Sequence, residues 1–89
     1  MPSVTLGSAL QRHIPCPVEG VEAATVRDAL DAYFARHPGA RTYVLDEQGA
    51  LRHHVVIFVD GAQVRDRDGL SDAVRPSAEL YVMQALSGG

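Results

Sequence analysis

The last four residues of the sequence, Leu86-Ser87-Gly88-Gly89, have the composition of a reactive tail. They follow the apolar run Leu80-Tyr81-Val82-Met83, which is aromatic and β-branched and predicts a final strand. Glycine has no Cβ, so Gly88 and Gly89 suit a channel that admits little more than backbone. Four extended residues reach about 14 Å, far enough to place a terminal carboxylate inside another protein's active site. The alternative is a frayed chain end without a role.

The other residue types that could carry chemistry have unfavourable surroundings. Cys16 lies between two prolines with no cationic neighbour to activate its thiol, and we interpret it as an inert surface residue. His53 and His54 are adjacent, and because adjacent strand residues point to opposite faces, the two cannot easily bind one metal ion together. His13 and His37 complete no metal-ligand spacing, so we predict no metal site. A single cysteine excludes an iron–sulfur cluster, and neither a phosphate-binding loop nor a nucleophile-elbow pattern is present.

Length and composition are typical of a small single domain. The sequence has 89 residues, of which 46% are hydrophobic, enough for one core. A net charge of −3 without a basic stripe argues against a nucleic-acid partner. The longest apolar run, Val55–Val59, is far shorter than the ~20 residues of a membrane span, and the first residues lack a signal-peptide pattern. We therefore expect a cytoplasmic protein with no membrane partner.

One amphipathic helix is predicted after Thr25. Thr25 is a typical N-cap, and Asp28 suits the exposed N–H groups of the first turn. The segment Pro38-Gly39 predicts the end of this helix, and residues 41–51, which include Asp46-Glu47-Gln48-Gly49, predict a turn-rich connection. Apolar and aromatic residues recur between these limits at helical spacing: Val26, Leu30, Tyr33, Phe34 and His37.

The apolar segments on either side of this helix predict strands. Val4-Thr5-Leu6 opens the first strand, which continues towards Leu10, and residues 19–23 return beside it. The strongest strand is Val55–Val59, because its five residues are all β-branched or aromatic. It is followed by Asp60-Gly61, the tight-turn sequence of a β-hairpin.

The second hairpin and the last strand complete the predicted fold. Val64 marks a short returning strand, and Leu70-Ser71-Asp72-Ala73-Val74 predicts one irregular helical turn before the final strand. The order is therefore strand, strand, helix, strand, short strand, strand. A mixed sheet of four to five strands packed on one helix fits this order, which predicts the α+β β-grasp, or ubiquitin-like, fold. A ferredoxin-like sheet would need a second full helix, for which residues 70–74 are too few.

Three segments resemble the small sulfur-carrier proteins of the MoaD/ThiS type. Thr25-Val26-Arg27-Asp28-Ala29-Leu30 is similar to the start of that family's helix. Ile57-Phe58-Val59-Asp60-Gly61 is similar to its apolar strand and turn, where Asn is usual in place of Asp60. Leu86-Ser87-Gly88-Gly89 is similar to its carrier tail, so the resemblance covers nearly the whole chain. Arg75-Pro76-Ser77-Ala78-Glu79 departs from the family, which commonly has an acidic turn there.

This resemblance implies a carrier and not an enzyme. A ubiquitin-activating-like adenylyltransferase would consume ATP to join Gly89 to AMP, and a sulfur donor would convert Gly89 to a thiocarboxylate. An acceptor enzyme would then receive the sulfur during synthesis of molybdopterin, thiamine, cysteine or a similar compound. Leu86, Ser87 and Gly88 would form the tail, and the chain itself would bind no cofactor. Two alternatives stay open: a ubiquitin-like modifier joined through Gly89 to target lysines, and a non-reactive interaction domain.

Strand parity predicts a surface for these partners. Val55 and Ile57 share one face of the sheet with Leu80, and the helix can cover only one face. The opposite face would then expose an apolar, partner-binding patch, unless the 41–51 connection or self-association covers it; its residues are Phe58, Tyr81 and Met83. Residues 1–85 would form the β-grasp domain, and residues 86–89 a flexible tail.

Overall fold

The computed structural model describes residues 1–7, 10 and 17–84, which form one mixed sheet and two helices. The sheet has the order β2-β1-β5-β3-β4, in which β1 and β5 are parallel and the other neighbours antiparallel. No helix within these ranges is both long and apolar enough to cross a membrane. The elements are β1 (Ser3–Leu6), β2 (Glu19–Gly20), α1 (Val26–Arg36), α2 (Pro38–Val44), β3 (Val55–Val59), β4 (Ala62–Gln63) and β5 (Glu79–Gln84).

Alternation along the central strands decides which side chains enter the core. Val4 and Leu6 of β1 are buried, and so are Leu80 and Val82 of β5, which pair with them across the parallel ladder. Residues between them point to the other face of the sheet. The apolar stripe of α1 completes this core with Val26, Ala29, Leu30, Tyr33 and Phe34.

Helix α1 begins as the sequence predicts. The Thr25 hydroxyl oxygen accepts a hydrogen bond from the Asp28 N–H at 3.2 Å, which satisfies one exposed donor of the first turn. The wholly buried Tyr33 donates its hydroxyl to the carbonyl oxygen of Pro17 at 2.9 Å. The helix ends at Arg36, immediately before the predicted limit.

The chain does not become irregular after α1, and here the prediction was wrong. Pro38 begins a second helix, α2, which continues to Val44 and buries Ala40 and Val44. Proline is favourable at the first helical position, because its fixed φ suits the helix and its missing N–H has no partner there in any case. The predicted turn at residues 46–49 is present, with Gly49 at φ +82°.

Arg27 of α1 joins the helix to two loops. Its Nη2 donates to the carbonyl oxygens of Gly49 at 2.8 Å and Asp68 at 3.1 Å, and its Nε donates to that of Gly69 at 3.3 Å. The planar, forked guanidinium can reach several carbonyls at once, whereas a lysine ammonium is a point charge on a flexible stem. The sequence pattern did not predict these contacts of Arg27 with the loops.

The hairpin between β3 and β4 is confirmed in detail. Asp60 and Gly61 have φ values of +51° and +86°, as a two-residue primed turn requires. The Asp60 carboxylate accepts hydrogen bonds from Arg75 Nε at 2.9 Å and from the Glu79 N–H at 3.0 Å. The turn is therefore attached to the start of β5. Val64, the residue predicted to mark the returning strand, is buried directly after β4.

The predicted helical turn at residues 70–74 is absent. Leu70 is fully buried with φ +56°, and Ala73 forms an isolated antiparallel bridge with Thr25. One helix-like bond is formed, from the Leu70 N–H to the Asp66 carbonyl oxygen, but the Val74 N–H donates to the Ala24 carbonyl oxygen and several backbone donors of residues 65–71 bind carboxylates. Asp66 accepts from the Gly69 N–H, the Ser71 N–H and the Ser71 hydroxyl, and Asp72 accepts from the N–H groups of Arg65 and Asp66. Such side-chain bonds compete with regular secondary structure.

The first hairpin is shorter than predicted. β1 ends at Leu6, and Leu10 is buried beyond the strand. Of residues 19–23 only Glu19–Gly20 pair with β1. Cys16, His13 and the predicted tail lie outside the described residues.

Candidate functional site

The two faces of the sheet differ as strand parity predicts. Val55, Ile57, Leu80 and Val82 are fully buried on the face covered by α1. On the opposite face Tyr81 is 44% exposed and Met83 41% exposed. This second face, which we call the open face, carries the exposed residues of the central strands.

The sheet register brings the three predicted partner-binding residues together on the open face. Phe58 of β3 is partly buried and pairs directly with Tyr81 of β5. Met83 lies one row further along β5 and pairs with Val56. Val56 was not singled out from the sequence, although its parity with Phe58 is the signal that identifies it. Two adjacent cross-strand pairs thus form the apolar part of the open face.

The open face is polar at one end and apolar at the other. In its first row Ser3 pairs with the exposed Glu79, near the turn that contains Asp60. The hydrogen bond from Arg75, followed by that from the Glu79 N–H, lowers the pKa of Asp60 below its ordinary value, and the Asp60–Arg75 ion pair at 2.9 Å makes this end polar. The rows that contain Tyr81 and Met83 follow in the direction of the C-terminus.

β5 carries the chain towards the tail at the apolar end of the open face. The Gly7 N–H donates to the Val82 carbonyl oxygen at 2.7 Å, and Gln84 pairs with Val55. The sheet therefore holds the backbone as far as Gln84. Residues 85–89 lie outside the described residues, and a fully extended segment of five residues reaches at most about 18 Å.

His53 and His54 do not occupy the strand positions assumed from the sequence. They lie in a turn that precedes β3, and their rings make an edge contact with centroids 5.7 Å apart. The prediction of opposite faces was wrong because strand alternation begins only at Val55. In residues 1–7, 10 and 17–84, no group of three or more His, Cys, Asp or Glu side chains is placed to hold a metal ion.

A shallow depression of about 320 Å³ lies at the turn after α2, away from the predicted site residues. Asp46, Glu47, Gln48 and Arg52 line it. The Asp46 carboxylate accepts hydrogen bonds from the N–H groups of Gln48 and Ala50, and Arg52 Nε donates to the Thr42 carbonyl oxygen. Its polar groups thus stabilise the turn, and it does not supply a site for the predicted chemistry.

Comparison with known proteins identifies the family. The sequence pattern of the ThiS family matches residues 14–89. The chain belongs to the ThiS family. Small archaeal modifier protein 1 of Haloferax volcanii is 33% identical over 66 residues, which are 74% of this chain and 71% of that protein. The family consists of small ubiquitin-like sulfur carriers and modifiers.

Solved structures confirm the β-grasp fold of this ThiS-family chain. The crystal structure of the Haloferax volcanii modifier has a TM-score of 0.81 at 27% identity and covers 99% of this chain and 98% of its own. A chain of the Amycolatopsis orientalis BexX/CysO complex has a TM-score of 0.83 at 24% identity, with full coverage of both chains. Mycobacterium tuberculosis CysO has a TM-score of 0.81 at 20% identity. The last two likenesses concern the fold alone.

Proposed function

We propose that this ThiS-family chain is a sulfur carrier whose Gly89 carboxyl group is adenylated and then converted to a thiocarboxylate. A ubiquitin-activating-like adenylyltransferase docks on the open face, and residues 86–89 enter its active site. The observation that carries the proposal is the position of the apolar rows, which lie at the end of the sheet where β5 leads towards Gly88 and Gly89.

The proposed chemistry begins with activation of the carboxylate. A C-terminal carboxyl group has a pKa of about 3.3–3.7, so at neutral pH it is ionised and a poor acyl donor. The carboxylate of Gly89 attacks the α-phosphate of ATP in the partner, pyrophosphate leaves, and an acyl adenylate forms. A hydrosulfide donor then attacks the acyl carbon, AMP leaves and the sulfur loses its proton, which gives a thiocarboxylate on Gly89. A persulfide donor gives an acyl disulfide instead, and a further thiol cleaves its S–S bond, forming a disulfide with the donor and releasing the same thiocarboxylate.

Within this proposal the folded body binds partners and performs no catalysis. Tyr81 and Met83 are both exposed, and Phe58 lies beside Tyr81, so a partner can cover all three at once. Aromatic residues and Met are enriched in protein interfaces, and a few such residues commonly dominate binding. ATP is consumed by the partner, and the acceptor enzyme takes the sulfur in molybdopterin, thiamine, cysteine or similar synthesis.

The second candidate function is protein modification. It is favoured by one observation, the 33% identity with a protein named small archaeal modifier protein 1. The same activated Gly89 would be attacked by the amine of a target lysine, and an isopeptide bond would form as AMP leaves. This chain has eight arginines and no lysine, so the lysine acceptor would belong to another protein.

The test of the proposal is activation by the cognate adenylyltransferase. The purified chain is incubated with this enzyme and ATP, and then with a sulfide donor, or with a persulfide donor and a thiol. We expect pyrophosphate release, followed by a mass gain equal to the exchange of one oxygen for sulfur. Peptide fragmentation should assign that gain to Gly89, and a variant lacking Gly89 should release no pyrophosphate.

A matched control separates tail chemistry from folding. The variant lacking Gly89 should have the melting temperature of the wild type, because the described fold ends its pairing at Gln84. Full activation of the truncated chain would contradict the proposal. Activation without sulfur transfer, together with conjugates on target lysines, would favour the modifier function instead.

A further inference from the structure

We propose that Met83 is a site of reversible oxidation that controls docking of the activating enzyme. This inference rests on the proposed function for its partner. Its structural basis is the position of Met83 on the open face, where the side chain is 41% exposed and lies next to Tyr81 in β5.

The neighbours of Met83 leave its side chain 41% exposed. Gly7, at the end of β1, has no side chain, and a Cβ placed there would lie only 3.8 Å from Met83 Cγ. On the other side, Met83 pairs with Val56, a short side chain that is itself partly buried. A larger residue at position 7 would cover this flank of Met83. A methionine side chain exposed to this extent is open to peroxide, whereas one inside a packed core is shielded.

The reaction is a two-electron oxidation of sulfur. The Met83 sulfur attacks one oxygen of hydrogen peroxide, the O–O bond breaks, and the products are methionine sulfoxide and water. In the reverse direction, a sulfoxide reductase uses two thiols, which become a disulfide as the thioether is restored and water is released. Both half-cycles balance with peroxide as oxidant and thiols as reductant.

The sulfoxide changes the open face where the proposed partner must exclude water. It replaces an apolar, flexible group with a strong dipole that would be buried without a hydrogen-bond partner. Burial of such a group weakens association by about five- to a hundredfold. The fold itself should be unaffected, because Met83 contributes its side chain to the open face and not to the core.

The sequence contains a second methionine that serves as an internal comparison. Met1 is 68% exposed and lies before β1, beside Gly20, where a Cβ would be 3.9 Å from its sulfur, whereas Met83 lies beside Gly7 after the other end of β1. The Met83→Leu variant retains Met1 and Cys16. Peroxide damage at either residue therefore appears in Met83→Leu as well as in the wild type.

The experiment treats the wild type and Met83→Leu with hydrogen peroxide and compares each with its own untreated sample. Peptide fragmentation locates the added oxygen, since its mass is close to that of the sulfur-for-oxygen exchange at Gly89. Binding of the adenylyltransferase is measured by calorimetry, and adenylation by pyrophosphate release. We expect weaker binding only for the oxidised wild type, recovery after treatment with a sulfoxide reductase and dithiol, and an unchanged melting temperature.

Any other result would contradict the inference, and each result indicates a different cause. Equal losses in both proteins would assign the effect to Met1 or Cys16, and no loss in the wild type would remove Met83 from docking control. A lowered melting temperature after oxidation would show an effect on the fold. If the untreated wild type is not adenylated, the proposed function fails and this inference fails with it.

Discussion

Two neighbouring residues of β3 should differ in what their truncation affects: Ile57 mainly the stability of the fold, and Phe58 mainly the binding of the partner. Ile57 is fully buried in the core, whereas Phe58 is partly buried on the open face. Truncating each to alanine removes apolar groups from the same strand and the same region of the ladder. The two variants therefore test the assignment of the faces with secondary structure and strand position matched.

The expected stability changes follow from burial. Replacing a buried isoleucine by alanine destabilises a domain by about 2–5 kcal/mol, a large share of a total of about 5–15 kcal/mol. Complete burial of a phenylalanine side chain contributes about 1.5–3 kcal/mol, so truncating the partly buried Phe58 should remove about 1 kcal/mol. Ile57→Val should lower stability by about 1 kcal/mol and serves as the milder core variant.

Urea unfolding monitored by circular dichroism measures these differences. With a urea m-value of about 1 kcal/mol/M, Ile57→Ala should lower the midpoint by about 2 M or more, and Phe58→Ala by about 1 M. Calorimetric titration with the adenylyltransferase should then show the reverse order. Phe58→Ala should weaken binding by about 1–3 kcal/mol, whereas Ile57→Val, which remains folded, should bind as the wild type does.

Two results would refute this reasoning. If Phe58→Ala unfolds the domain as readily as Ile57→Ala, the open face contributes to the core and the assignment of faces is wrong. If Phe58→Ala, Tyr81→Ala and Met83→Asp all bind normally, the enzyme docks on another surface.

Three further predictions concern the turns and loops that hold the sheet. Gly61→Ala should destabilise the fold by about 1–2 kcal/mol through its φ of +86° alone, since no atom lies within 4 Å of the added Cβ. Gly39→Ala in α2 is the control and should stabilise the fold by about 0.5–1 kcal/mol, because alanine loses less backbone entropy than glycine in a helix. Thermal melts compare the two variants. Arg27→Lys should lower the free energy of unfolding by about 1–2 kcal/mol in urea titrations, because an ammonium cannot reproduce the three hydrogen bonds to loop carbonyls. The hydrogen bond from the Ser71 hydroxyl, aided by backbone N–H groups, lowers the pKa of Asp66 from 3.8 to about 2. Because this pKa is lower in the folded state, Asp66 stabilises the fold above about pH 4 and loses that contribution as the pH falls towards 2. Urea midpoints between pH 6 and pH 2 should therefore fall more for the wild type than for Asp66→Asn, and parallel curves would contradict the assignment.

Much of the candidate site could be predicted from the sequence because it depends on local rules. Side chains alternate along any strand, so the parity of Phe58, Tyr81 and Met83 was fixed once β3 and β5 were identified. Their placement side by side required the register of β3 against β5, which pairs Phe58 with Tyr81 and adds Val56 to the open face. The chemistry assigned to Gly89 came from residue type and family resemblance, and it stays a prediction.

The sequence by itself determined the elements whose signals are complete within a few residues. The Thr25 cap acts within one helical turn, and the residue types Asp60-Gly61 favour the two positive φ values of their hairpin, which the contacts of Asp60 with Arg75 and Glu79 then reinforce. The five apolar residues of β3 likewise predict a strand in almost any sheet. These features were confirmed because local geometry and tertiary packing favour the same conformation.

Only the tertiary structure decided the segments in which local signals compete. Pro38-Gly39 suits the end of one helix and the beginning of another, and burial of Ala40 and Val44 selects α2. Residues 70–74 have helical spacing. However, the Ser71 N–H donates to the Asp66 carboxylate, and Leu70 is buried in the core with a positive φ, which a helix does not allow. In both segments, contacts between residues distant in sequence, or across a loop, outweigh a preference of about 1 kcal/mol or less per residue. Residues 41–51 fold into α2 and its turn, and within the part of the chain that the structure describes Tyr81 and Met83 stay exposed on the open face.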